Sequence, residues 1–149
     1  VEEATVEEAT VEEATVEEIA VEEATIEKIN VSIGELWDKY TILLIKREKI
    51  SDEVKLEKIN NEIKFLDKNM KKYSYQNNEL FLELESINKQ LWEIEDKIRI
   101  KESLELFDYE FIQLARKVYI TNDNRAFIKN EINKKFNSDI YEVKEYVEY

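Results

Sequence analysis

The sequence contains no histidine and no cysteine among its 149 residues. Without histidine it lacks the commonest general base and the commonest metal ligand. Without cysteine it has no disulfide and no thiolate metal site. A catalytic mechanism would have to rest on carboxylates, lysine, tyrosine or arginine. No metal site and no cofactor is expected. Proline is absent and glycine occurs once. A sheet protein needs turn residues at its reversals, so this scarcity argues for long helices. The charged fraction of 38% agrees. No apolar run is long enough to span a membrane, so no membrane insertion is expected. No secretory signal is visible, which points to the cytoplasm.

The net charge is −13, and it is unevenly placed. Residues 1–30 hold eleven glutamates and one lysine, a balance of −10, and residues 31–149 hold the other −3. The acidic leader disfavours nucleic acid and anionic membrane as partners. Its unit, VEEAT, recurs with small variations up to IEKIN. A five-residue period turns each valine about 140° from the last, so no helical apolar face forms. The period is also odd, so strand alternation fails. The leader, residues 1–30, is expected to be disordered or a marginal exposed helix. Residues 31–149 are expected to form one helical domain.

The domain opens with VSIGELWDKYTILLIKREKI, Val31 to Ile50. Ser32 followed by Glu35 is a capping-box pattern, with the serine oxygen on the Glu35 amide and the Glu35 carboxylate on the Ser32 amide. Leu36, Trp37, Tyr40, Leu43 and Leu44 then recur at helical spacing. Gly34, in the first turn, would let another backbone approach closely.

Ser51 and Asp52 mark the next helix start. Leu56, Ile59, Ile63, Leu66 and Met70 form one heptad seam. Leu80, Leu84, Ile87, Leu91, Ile94 and Ile98 form another, and KKYSYQNN between them reads as a reversal. Facing positions in an antiparallel hairpin add to a constant. Met70 with Leu80, Leu66 with Leu84, Ile63 with Ile87, Ile59 with Leu91 and Leu56 with Ile94 all add to 150. The spacing predicts a long, coiled-coil-like hairpin with five facing layers. Phe65, Phe81, Trp92 and Ile100 lie off the seam and call for further helices as cover.

Two shorter C-terminal helices are expected to supply part of it. Asp108 can cap a helix reaching about Tyr119. Thr121, Asn122 and Asp123 read as a second cap, followed by Ala126, Phe127, Ile128, Ile132 and Phe136. The tail IYEVKEYVEY is open between a frayed helix and an extended segment, partly docked in either case. The predicted fold class is therefore all-α: a long antiparallel helical hairpin braced by an N-terminal helix and two shorter C-terminal helices.

Three separated stretches carry a resemblance: VSIGELWDKYTILLIK, LWEIEDKIR and FIQLARKVYITNDNRAFIKNEIN. In order, they resemble a bacterial family of small uncharacterised helical proteins with patterns close to VSxGELxDKxTILxIK, LWxIEDxIR and LAxxVYxTNDxRAxxKxEIN. The resemblance implies a helical domain of unassigned function and supplies no catalytic residues.

Two function classes follow. The first is a non-enzymatic helical interaction or scaffold protein, with a protein partner or self-association. The second is a small-molecule binding protein, for a sugar or dicarboxylate, or an all-helical enzyme. It would use a polar cluster between the first helix and TNDNRA. The candidate ligand-binding residues are Glu35, Asp38, Lys39, Lys46, Asn122, Asp123 and Arg125. Asn122, Asp123 and Arg125 at a helix start could hold a polar ligand through side chains and free amides. The plainer expectation is an N-cap, with Glu35 or Asp38 within salt-bridge reach of Arg125 or Lys129. Glu95 and Asp96 are adjacent on a helix and point about 100° apart, so they are not a natural carboxylate pair.

Overall fold

The computed structural model describes residues 26–149, and the expectation for the VEEAT leader lies outside the described residues up to Thr25. Residues 26–30 form no regular element. The domain from Val31 to Tyr149 is all-α. Its helices are α1 (Ile33–Lys49), α2 (Glu53–Met70), α3 (Glu79–Ser103) and α4 (Tyr109–Lys135).

Each start is a side-chain cap. Ser32 Oγ accepts from the Glu35 amide at 3.0 Å, and Asp52 accepts from the Lys55 amide at 2.8 Å. Asn78 and Asp108 do the same for α3 and α4, on Leu80 and Phe111, each at 3.0 Å. Such caps satisfy amides that the helix cannot. The reciprocal half of the expected capping box is replaced, because the Glu35 carboxylate is taken by Lys129.

The scarcity of glycine shows at the helix ends. After α3, the Leu106 amide reaches the Lys101 carbonyl and the Glu105 amide reaches the Glu102 carbonyl, each at 3.0 Å. After α4, the Ser138 amide reaches the Asn133 carbonyl at 2.8 Å. Both are Schellman closures, which put one residue in the left-handed region. That residue is Glu105 at φ 53° and Asn137 at φ 52°. Asparagine suits the conformation; a glutamate there costs roughly 1–2 kcal/mol. Glu105→Gly is therefore expected to raise stability by about 0.5–1 kcal/mol, after the extra chain entropy of glycine is deducted. Chemical denaturation of the two proteins measures it.

α1 is the centre, in direct contact with each of the other three helices. Contacts such as Asp38–Arg125 and Tyr40–Asp67 run it antiparallel to α4 and α2. Trp37–Phe81 and Thr41–Asn88 run it parallel to α3. Trp37, Tyr40 and Leu43 from α1 meet Ile59, Ile63 and Met70 from α2, Phe81 and Leu84 from α3, and Ile128 and Ile132 from α4. Trp37 is wholly buried among the rings of Tyr73, Phe81 and Phe136, with centroids 6.2, 5.6 and 5.1 Å away. Aromatic pairs of this kind add about 0.5–1.5 kcal/mol each beyond the area they bury. Tyr73 and Tyr75 come from the reversal, so that segment, read as polar, contributes two rings to the core.

Two expectations need correction. α2 and α3 do form an antiparallel pair around the expected reversal, but the five facing layers do not form. No Cα of α2 comes within 8 Å of one in α3. The Ile63–Ile87 pair is thus beyond disulfide reach, which ends near 7 Å between Cα atoms. Ile59, Ile63 and Met70 of α2 and Leu84 of α3 instead join one core with Trp37, Tyr40 and Leu43 of α1. The second correction concerns the C-terminus, where the two short helices are one. α4 runs unbroken for 27 residues through Thr121, Asn122 and Asp123. Leu114, Thr121, Ala126 and Ile128 stay buried along it, and that burial outweighs the local preference of Thr, Asn and Asp for a cap.

The tail after α4 forms no regular element and is tethered. Asn130 Nδ2 donates to the Glu142 carbonyl at 3.0 Å, and the Glu142 amide donates to Asn130 Oδ1 at 3.3 Å. One amide side chain thus pairs with the tail as a neighbouring strand would. Tyr149 stacks edge-on to Tyr119 and donates its hydroxyl to Asp123 at 2.7 Å.

Candidate functional site

The first turns of α1 cross the C-terminal half of α4, and there the predicted residues divide. Gly34 lies against the α4 backbone, and its amide donates to the wholly buried Asn133 Oδ1 at 2.6 Å. One turn on, Asp38 is 1% exposed. Its two oxygens take Arg125 Nε, at 2.8 Å, and Arg125 Nη2, a bidentate fork. Asn88 Nδ2, from α3, donates to the same carboxylate at 3.0 Å and to Thr41 Oγ1 at 2.9 Å. A carboxylate this deep is tolerable only with such partners. Asn122 Oδ1 accepts from Arg125 Nη1 at 3.3 Å and holds the guanidinium from the other side.

Lys129, one turn beyond Arg125, is buried at the meeting of three carboxylates. Its Nζ lies 2.7 Å from Glu35, 2.8 Å from Glu142 and 3.9 Å from Asp38. Burial works to lower its pKa, and the bonds to Glu142 and Glu35 outweigh that, so the net shift is upward. The Arg125 pKa is likewise raised, chiefly by its bond to Asp38. For Glu142, burial pushes the pKa up, but Lys129 and then Lys144 pull it below the ordinary value of 4.5. The signs fix a pH window. A lowered carboxylate contributes stability above its unfolded pKa and loses it as pH falls through the folded one. A raised lysine contributes below its unfolded pKa, near 10.4, and loses it as pH rises through the folded one. The tail is therefore expected to detach on acidification below about pH 4.5. Glu142→Gln should flatten that acid limb, as read from exchange of the Glu142 amide against pH.

Of the seven candidates, Glu35, Asp38, Asn122 and Arg125 come together. The other three do not. Lys39 lies on the face of α1 towards α2 and pairs with Glu62 at 2.6 Å. Lys46 is half-buried and enters no ion pair among the described residues. Asp123 faces the tail and binds Tyr149. Adjacent helix positions diverge by about 100°, which is why Asp38 and Lys39, or Asn122 and Asp123, part company. The candidate set omitted Asn88, Lys129 and Asn133. Asn88 had a signal: it stands four residues after Leu84 and seven after Phe81, on the buried stripe of α3. Asn133 had the same one, four residues after Lys129 and seven after Ala126.

Beside the cluster, a cleft of about 460 Å³ opens between α1, α3 and α4. Its lining includes the apolar Ile42, Leu91 and Trp92 and the polar Asn88, Asn122 and Arg125. Glu95, Asp96 and Arg99 complete the lining. Among the described residues, no group of three carboxylates is placed to hold a metal ion.

Fold and site together define a small all-α domain built on one central helix, with a buried ion-pair cluster locking its first helix to its last. The chain belongs to a family of unknown function, DUF6165, whose model matches residues 27–148. No curated protein and no solved structure matches it.

Proposed function

We propose that this chain is a non-enzymatic interaction module that docks a partner through the far end of its α3–α4 pair. The observation behind the reading is an uncovered apolar cap. α3 and α4 have 25 and 27 residues against 17 in α1, so by length they run on past it. At their junction Leu104, Leu106, Phe107, Tyr109 and Ile112 are all exposed, Tyr109 to 75%. Contiguous exposed apolar residues of this size mark interaction surfaces more often than they mark bare solvent-facing protein. By contrast, the charges of the α1–α4 cluster are spent on one another, as in a structural lock.

Charge selects the partner. Glu102, Glu105, Asp108 and Glu110 surround the cap, against Lys101 alone, which already pairs with Asp108 and Glu110 at 2.8 Å. Two such caps would repel, which disfavours self-association here. An amphipathic helix with basic flanks fits, its apolar face on the cap and its cations on the rim. The proposal keeps the bacterial, cytoplasmic setting expected from the sequence. A synthetic amphipathic Leu/Lys helix is a direct probe. It should shift amide resonances of residues 100–112 selectively, more weakly at high salt, and not at all in a Phe107→Ser/Tyr109→Ser/Ile112→Ser protein. Shifts centred elsewhere, or a dimer that the triple substitution breaks, would overturn the reading.

A further inference from the structure

The cleft between α1, α3 and α4 is independent of the apolar cap, and its hydrogen-bonding capacity is unspent. Asn88 is 5% exposed, and both of its bonds leave from Nδ2. Its Oδ1 accepts nothing among the described residues, although the residue lines the cleft. The oxygen itself is not sealed from solvent, so a donor from solution can reach it. Beside it, Arg125 uses three of its five N–H groups, two on Asp38 and one on Asn122. Asn122 Nδ2 donates to nothing among the described residues. A ligand here would therefore meet one waiting acceptor and several waiting donors.

Charge narrows the class. Arg125 is matched by Asp38 and Arg99 by Glu95, so an anion finds no free cation and has Asp96 for company. A cation would find one carboxylate without an ion pair among the described residues, Asp96, with two guanidinium groups beside it. The volume, about 460 Å³, falls within the usual range of small-molecule sites, roughly 300–1,000 Å³. The apolar part of the lining is Trp92 with Leu91 and Ile42. An uncharged ligand that both donates and accepts, and has one apolar face for an indole, is a polyhydroxylated ring. We infer that this cleft binds a neutral saccharide or cyclitol, its hydroxyls on Asn88, Asn122 and Arg125 and its C–H face on Trp92.

Titration of the full chain, followed by amide resonances and calorimetry, tests it. The probes are glucose, myo-inositol and a glucose oligosaccharide, against succinate, inorganic phosphate and spermidine. The expected result is saturable binding of at least one neutral probe, with Kd on the order of 1 mM or tighter, centred on residues 88–99 and 122–125. Preference for the oligosaccharide over the free rings would assign the ligand to a glycan chain, and the reverse to a free metabolite. Trp92→Ala and Asn122→Ala should each weaken binding by about tenfold, with helicity and melting retained. Circular dichroism makes that control, and the loss must follow in whichever variant keeps its fold. No saturable response to any neutral probe would overturn the inference. So would tighter binding of succinate, phosphate or spermidine, or unchanged affinity in the folded variants.

Discussion

Arg125→Ala should lower stability by about 3–5 kcal/mol, the usual cost of stranding one member of a buried ion pair. Asp38 has a 2% exposed side chain, and Arg125 supplies two of the hydrogen bonds on its carboxylate. Among the described residues, only Asn88, and Lys129 at 3.9 Å, would remain to partner it. For a domain of this size the melting temperature should fall by roughly 10 °C or more. Arg125→Lys should recover only part, because an ammonium cannot reproduce the two-pronged fork. Adding Asp38→Asn to Arg125→Ala should restore stability relative to the single change, since the stranded charge is gone. Thermal melts of the four proteins make the test. An Arg125→Ala protein as stable as the parent would mean that the pair is not a structural lock, and that Arg125 is held for some other purpose.

Gly34→Ala is expected to be at least as damaging, against the rule for helices. In an exposed helix, replacing glycine by alanine gains about 0.5–1 kcal/mol. Here a Cβ would sit 2.9 Å from Asn133 Oδ1 and closer still to the Lys129 carbonyl oxygen. That oxygen belongs to the α4 backbone and cannot swing aside as a long side chain can. The two helices would have to separate at their crossing. Separation stretches the Gly34–Asn133 hydrogen bond and the Glu35–Lys129 pair together. Overpacking typically costs about 1–3 kcal/mol, and coupled loss of these bonds should bring the total to 3 kcal/mol or more. Denaturant midpoints of the parent and variant decide it. A stabilised Gly34→Ala protein would show that α1 and α4 do not cross this closely.

The sequence by itself determined that this domain is helical and where most helices begin. Those facts are local: periodicity, and a Ser, Asp or Asn with free amides ahead of it. It also marked Gly34 as a point of close approach and set Glu35 or Asp38 against Arg125 or Lys129, because charge beside an apolar stripe must find a partner; which carboxylate took which cation was left to the packing. It could not set which helix packs on which. The seams of α2 and α3 match numerically, yet a seam says only that a face is buried and not against what. Trp37, Tyr40 and Leu43 won both faces for α1 by their size. Nor could it foresee that Thr121, Asn122 and Asp123 lie inside a helix. A cap is a local choice made where amides are free, and tertiary burial on either side left none free. The roles of Asn88 and Asn133 were decided at the same level. A polar residue on an apolar stripe is either an error of the pattern or a partner, and only the packed neighbour, here Asp38 or Gly34, says which.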